Sequence, residues 1–318
     1  MQIYMAPLEG ITGFVFRNAF HKYYGGVDQY FTPFITPHTK KNMDARERRD
    51  ILPENNRGIT LVPQVLTCQV EEMISISREL QEFGYTQINL NLGCPSGTVA
   101  AKGKGSGFLD DPIKLDRFFE VYFENSDMPL SIKTRVGVED LEEFEQLLAI
   151  YKKYPFCEVI IHPRLGKEFY RGMVHRDLFS EAVKVLPQPV CYNGDIFTTG
   201  DIFTTGDFQT VSGENPECER YMLGRGLLRN PQLAEEIVSG SMTEFDLVRF
   251  GQFHDEIVSG YREYISGDRN VLFRMKELWG YWKDLFPDDK KHFKNIRKAS
   301  TLMEYGQEVR MLFEEMKA

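Results

Sequence analysis

Short apolar, β-rich runs recur along the first 225 residues, at Ile3–Ala6, Gln29–Thr36, Leu61–Leu66, Gln87–Asn91, Leu130–Arg135, Glu158–His162, Val190–Asn193 and Glu219–Leu223. Between them lie stretches with apolar residues at helical spacing: Val70–Phe83 ahead of Gly84, Pro112–Phe123 behind an Asp111 cap, and Leu141–Tyr151 before Pro155. Each unit reads strand, loop, helix. Eight such units at about thirty residues apiece match a (β/α)8 barrel, whose typical size is about 250 residues. An open, doubly wound sheet is the competing arrangement, but no G-x-G-x-x-G follows the first strand.

After Gly240 the pattern is helix alone, with periodic segments at Phe245–Tyr264, Val271–Leu285 and Ile296–Met316 broken near Gly267 and Pro287. The sequence therefore predicts an α/β fold, a (β/α)8 TIM barrel over residues 1–240, followed by a C-terminal all-helical domain over residues 241–318. One short repeat stands out, the tandem hexad DIFTTG at 195–200 and 201–206. Six residues are too few for a solenoid, and the repeat reads as a loop duplication after the seventh strand.

Composition adds limits. With 318 residues and 42% apolar content the chain buries a large core, and no apolar run reaches the roughly 18 residues of a membrane helix. The opening MQIYMAPLEG lacks a basic stretch followed by a long apolar run, so a cytoplasmic protein without membrane attachment is expected. Cys68, Cys94, Cys157, Cys191 and Cys218 form no C-x-x-C, which disfavours disulfides and a metal site alike. A net charge of −9 argues against non-specific coating of nucleic acid. That average hides a contrast, because residues 1–240 carry −8 of it while Arg269–Lys298 holds nine basic against four acidic residues. The stretch is either a local basic patch or a solvated helix face.

In such a barrel the reactive groups sit where the strands end. Here those ends carry Ala6-Pro7, Gln64, Asn91 through Cys94, Lys133 with Arg135, His162, Asn193-Gly194-Asp195 and Gly224-Arg225-Gly226. Loops after the seventh and eighth strands commonly hold phosphate, and N-G-D and G-R-G occupy them. Lys133 lies within an apolar strand, where an unpaired ammonium is costly. Its partner is either a neighbouring carboxylate or an anionic cofactor such as a reduced flavin. Cys94, between Gly93 and Pro95 and ahead of a glycine-rich, mobile loop with Lys102 and Lys104, is placed to reach solvent and deliver a proton. A thiol is mostly protonated at neutral pH, which suits a general acid.

Taken together, M-A-P-L-E-G-I-T, N-L-G-C-P-S with a following K-G-x-G-S-G-F-L, S-I-K-T-R-V-G, I-H-P-R, the Tyr170-Arg-Gly172 turn, N-G-D-I and L-G-R-G resemble the tRNA-dihydrouridine synthase family in order and spacing. F-R-M-K-E-L-W-G-Y-W at 273–282 is similar to the start of that family's helical RNA-binding module. The resemblance implies an FMN-containing barrel that reduces uridine in tRNA, with NADPH as reductant and no stable protein partner. Ala6, Pro7, Gln64, Lys133, His162, Asn193, Gly194, Asp195, Gly224 and Arg225 would hold FMN. Asn91 and Arg135 would face the uracil, Cys94 would be the acid, and Lys102, Lys104 and the 269–298 patch would contact RNA. Gly13, where the family commonly has Asp, and Pro163, where Gly is frequent, depart from its pattern, and the hexad duplication lies beside the phosphate loop. Two other readings remain at this point: a flavin barrel acting on a free pyrimidine or another small activated alkene, and an RNA-binding protein with an inactive barrel.

Overall fold

The computed structural model describes residues 1–37, 42–200, 207–286 and 290–317. The described residues form nine strands, separated by helices except between the third and fourth: β1 (Gln2–Met5), β2 (Gln29–Phe31), β3 (Leu61–Val62), β4 (Gln64–Val65), β5 (Ile88–Leu92), β6 (Leu130–Arg135), β7 (Glu158–His162), β8 (Val190–Tyr192) and β9 (Arg220–Leu223). All pair in parallel, in the order β3-β2-β1-β9-β8-β7-β6-β5-β4. The two ends of that order, β3 and β4, are separated by Pro63 alone. A proline cannot donate to a ladder, so the third apolar run of the sequence is split there, and its two halves bond to opposite neighbours. The split closes the sheet, and eight predicted strands become nine segments of one barrel.

Strand register sets which residues face inward. Tyr4, Ala6, Phe31, Val62, Ile160, Cys191 and Met222 pack together as the barrel interior, while their strand neighbours Ile3, Met5, Val159, Ile161, Tyr192 and Leu223 join the larger core beneath the helices. Side chains alternate faces along a strand. Lys133 pairs with Ile160 and Asn91, and Arg135 with His162, so these polar residues share the interior face with Ile160 and Cys191.

The predicted helices appear as Val70–Glu82, Pro112–Asn125 and Glu143–Tyr151, the second started by Asp111 accepting from the Lys114 amide at 3.0 Å. The C-terminal prediction needs one correction. The single helix expected over Ile296–Met316 is two, Lys290–Lys298 and Leu302–Glu315. Thr301 caps the second by accepting from the Glu304 amide at 3.1 Å, and Glu304 in return accepts from the Ser300 amide at 2.7 Å. Apolar periodicity ran through the break, whereas the S-T-x-x-E cap that makes it is a polar signal.

Helices Leu247–Tyr264 and Asp268–Trp282 lie against the barrel rather than apart from it. Phe253 meets the rings of Phe16, Phe20 and Tyr24 edge-on at 5.2–6.2 Å. Arg249 forks onto Glu235 and donates to the Tyr23 carbonyl. Gly260 permits this approach, since a Cβ there would come 2.6 Å from Val15 Cγ1. Among the described residues no helix is long and apolar enough to cross a membrane.

Candidate active site

The C-terminal ends of the strands surround a cavity of about 400 Å³. Ala6, Pro7, Gln64, Asn91, Cys94, Lys133, Arg135, His162, Asn193, Gly194, Asp195, Gly224 and Arg225 all line it. The sequence also left out contributors: Tyr170 from the loop after β7, Phe197, and Glu277 and Tyr281 from the helical segment Asp268–Trp282. Lys102 and Lys104 are not brought in. Lys102 sits exposed on a turn, and the Lys104 ammonium lies 4.0 Å from the Glu72 carboxylate.

A chain of amides runs across one wall. Asn91 Nδ2 donates to Gln64 Oε1 at 2.7 Å, Gln64 Nε2 to Asn89 Oδ1 at 2.8 Å, and Asn89 Nδ2 to the Ser131 hydroxyl at 2.9 Å. With both donors and acceptors spoken for, the rotamers of Gln64 and Asn91 are fixed. Asn91 Oδ1 also accepts from the Gly93 and Cys94 amides at 3.0 and 2.9 Å. From the other side, the Cys94 carbonyl accepts from the Ser106 amide at 3.0 Å and its hydroxyl at 3.1 Å. Gly105 is left-handed at φ 59°, and a Cβ there would meet that same carbonyl at 2.6 Å. The glycine-rich stretch after Cys94, expected as a mobile loop, is folded into the short helix Gly97–Ala100 and the 3-10 turn Gly105–Phe108, with Phe108 buried. It clamps the cysteine.

The adjoining wall, from β6 and β7, is cationic. Among the described residues Lys133 has no carboxylate within ion-pairing distance, which removes the neighbouring-carboxylate explanation for it. Burial, followed by the charge of Arg135, lowers its ammonium to about 8. Arg135 donates to the Gly93 and Leu165 carbonyls, both at 2.8 Å. Burial and the surrounding cations Arg135, Lys133, Arg164 and Arg225 push His162 well below the usual imidazole range, so it is neutral. Its Nε2 lies 3.3 Å from Arg164 Nη1; a guanidinium can only donate, so Nε2 accepts and the proton sits on Nδ1.

Asp195 does not face the cavity as a free carboxylate. One oxygen accepts from Arg164 at 2.7 Å and the other from Arg225. The bridge holds Arg225 over the Tyr170 ring at 4.9 Å, with Arg135 over the same ring at 5.5 Å. Arg164 and Tyr170 stood in strings of the sequence that carried the resemblance, but nothing in their spacing revealed the carboxylate they share or the ring they surround. The glycines divide. A Cβ at Gly194 would strike the Tyr192 hydroxyl and one at Gly226 the Ile196 carbonyl, so both serve the chain's own packing. Of the three, Gly224 alone is free of a close clash at its Cβ position, its nearest neighbour the Ala6 Cβ at 3.4 Å.

The first DIFTTG copy supplies Asp195 and Phe197, the second lies outside the described residues, and the chain on either side comes together. Thr198 pairs with Asp207, and the Phe208 amide donates to the Thr198 carbonyl at 2.9 Å. Deleting 201–206 would leave Thr198-Thr199-Gly200-Asp207 as a four-residue turn with glycine at its third position. The deletion variant is expected to fold with a stability within about 1 kcal/mol of the parent, the scale of loop-closure entropy. Thermal melting checks this; a loss well beyond that scale would give the second copy a structural role.

The C-terminal end of the parallel barrel thus carries a polar cavity in which the clamped Cys94 and Lys133, which meets no carboxylate among the described residues, come from neighbouring strands. The Dus profile, dihydrouridine synthase, matches residues 4–316. The chain belongs to that family. Dihydrouridine synthases are oxidoreductases, and curated relatives match over most of their length. The tRNA-dihydrouridine(16) synthase of Neisseria meningitidis is 24% identical over 93% of this chain and 90% of its own. A probable tRNA-dihydrouridine synthase of Staphylococcus aureus is 28% identical over 94% of this chain and 86% of its own, and the probable synthase 2 of Bacillus subtilis 28% identical over 79% and 78%. Among solved structures, morphinone reductase aligns with a TM-score of 0.48 at 12% identity, over 78% of this chain and 88% of that one.

Proposed function

We propose that this dihydrouridine synthase reduces the 5,6 double bond of uridine in tRNA, with FMN held in the barrel mouth and NADPH as the reductant. The observation that carries the reading is Lys133, half-buried on the strand next to the one that leads to Cys94, with no carboxylate partner among the described residues. The residues fit an anionic, planar cofactor: an ammonium with no carboxylate partner among the described residues, the Arg225 guanidinium braced by Asp195, the glycine backbone at Gly224, and the Gln64 amide fixed in one rotamer. Ala6, Pro7, His162, Asn193 and Gly194 complete the FMN-binding set. Bound there, FMN supplies the hydride for carbon 6 of the uracil.

The chain's own part is the proton. Cys94 holds it for carbon 5, and the grips of Asn91 and Ser106 on its backbone fix the point from which the thiol projects. Arg135, tied to Gly93 and Leu165, and Asn91 flank the base. A uridine stacked in folded RNA cannot enter the cavity, so it is flipped out at a cost of a few kcal/mol that contacts to the rest of the tRNA must offset. Purified protein that is yellow and releases FMN on denaturation, together with dihydrouridine mapped in tRNA from cells with and without the gene, tests the whole reading. A colourless protein that takes up no added FMN would overturn it.

RNA contact is assigned to the helices from residue 241 onward. Arg274 is paired with Glu277, and Lys276 donates to the Ala299 carbonyl, so part of the basic excess is used internally. Lys290, Lys291, Lys294, Arg297 and Lys298 are exposed on one helix and meet no carboxylate among the described residues. Each phosphate contact adds roughly 0.7–0.9 to the log–log salt slope. Changing Lys290, Lys291 and Lys294 together to Glu is expected to weaken tRNA binding and flatten that slope by about two, with flavin content unchanged. Parental affinity and slope in the triple variant would move the RNA interface elsewhere.

A further inference from the structure

A second cleft, of about 770 Å³, opens beside the catalytic cavity, and Glu9, Ile11, Pro33 and Phe34 line both. One wall is the barrel, from the segment after β1 and helix Ala45–Ile51; the other runs from Tyr261 to Arg274 in the C-terminal helices. The walls are tied together. Phe14 meets Tyr264 edge to face at 4.8 Å, and Arg49 donates to the Tyr264 carbonyl at 3.3 Å.

Three guanidinium groups, Arg46, Arg49 and Arg274, stand among four carboxylates. Three of the carboxylates are already committed. Asp44 accepts from the Arg46 and Glu47 amides, Glu47 from the Thr36 and Asp44 amides, and Asp50 from Arg17 and the Phe14 amide. Glu9 is the exception: Arg46 reaches it only at 3.5 Å, and burial raises its carboxyl above the ordinary value. Phe273 is 66% exposed and meets no other ring among the described residues. An exposed aromatic, cations and a hydrogen-bond acceptor around one slot are the means by which proteins hold an unstacked nucleotide. A uridine inside a polymer reaches Cys94 only if its neighbours follow it to the rim, and the rim is where this cleft begins.

We propose that the cleft binds the nucleotide flanking the target uridine, its base stacked on Phe273, its phosphate held by Arg46 and Arg49, and its edge amino group donating to Glu9. Guanine, adenine and cytosine carry such an amino group and uracil does not, so the neighbour helps select which uridine is reduced. The inference deepens the tRNA reading above and rests on it. A dinucleotide reductant also has bases and phosphates and is the competing occupant.

The test uses full-length, flavin-loaded enzyme and a tRNA transcript whose target uridine has been mapped with the parent. A parent that forms no dihydrouridine in tRNA removes the underlying reading before the cleft is at issue. With an active parent, Phe273→Ala is expected to lower kcat/KM for tRNA about tenfold or more, mainly through KM, and Phe273→Tyr to restore it. Flavin content and NADPH-driven flavin reduction stay parental. With the nucleotide on one side of the target made abasic, the parent should fall to the variant's level and the variant lose nothing further. Glu9→Gln should narrow the preference for an amino-bearing base over uracil at that position. An equal loss on intact and both abasic transcripts, or no loss at all, overturns the proposal. So does slower flavin reduction by NADPH with tRNA kinetics intact, which would give the cleft to the dinucleotide.

Discussion

Cys94→Ala is expected to keep its flavin and accept hydride from NADPH at the parental rate, while reoxidation by tRNA slows by about 10² or more, the usual size of a lost general acid. The substitution is clean because the loop does not depend on the thiol. Asn91 holds the Cys94 amide, and Ser106 holds its carbonyl. The comparison is with the other cysteines. Cys191 is buried in the barrel interior, where burial pushes its thiol well up, and Cys218 is buried with its thiol against the Arg220 carbonyl at 3.3 Å. Alanine at either site should change stability more than the chemical step. Rapid-mixing measurement of the two half-reactions separates these outcomes. Full tRNA activity in Cys94→Ala, with the loss appearing in Cys191→Ala or Cys218→Ala, would transfer the acid role.

Much of this site was legible because each strand of a parallel barrel is buried on both faces and so reads as a continuous apolar run. A polar residue that interrupts or ends such a run has few places to be. Lys133, Arg135, His162 and Gln64 declared themselves in that way, and the register brings them to one cavity. What the sequence hid was pairing across strands. Asp195 stood as one more cavity residue until Arg164 and Arg225, 31 and 30 positions away, were seen to share it. Nor did spacing show that Lys104, expected as an RNA contact, stands 4.0 Å from the Glu72 carboxylate. The glycine run after Cys94 suggested mobility, yet Gly105 is needed for close packing on the Cys94 carbonyl. The contribution of the C-terminal helices to the cavity, through Glu277 and Tyr281, depends on docking that periodicity cannot state.

Lys133→Ala should cost the protein its flavin, and the pH dependence of flavin binding should identify the reason. Without an anion beside it, Lys133 holds its proton only up to about pH 8, because burial and the Arg135 charge disfavour the ammonium. An anionic cofactor favours the charged form and so must bind with that proton in place. Flavin affinity is therefore expected to be level below about pH 8 and to fall above it by up to tenfold per pH unit, the slope of one proton taken up. Stability of the flavin-free protein should run the other way. Between about 8 and the ordinary lysine value of 10.5 the unfolded chain keeps a proton that the native state has released. Unfolding free energy rises with pH wherever the unfolded state binds more protons, so the cost of burying a charged Lys133 is fully present below pH 8 and is relieved toward 10.5. Lys133→Met, which keeps the length of the side chain and discards the charge, should weaken flavin binding and remove both slopes, since the titrating group is gone. Flavin titrations and denaturant melts of the two proteins from pH 7 to 10 would measure this. A parental slope that survives in Lys133→Met would place the titrating group elsewhere in the cavity and leave Lys133 without its assigned role.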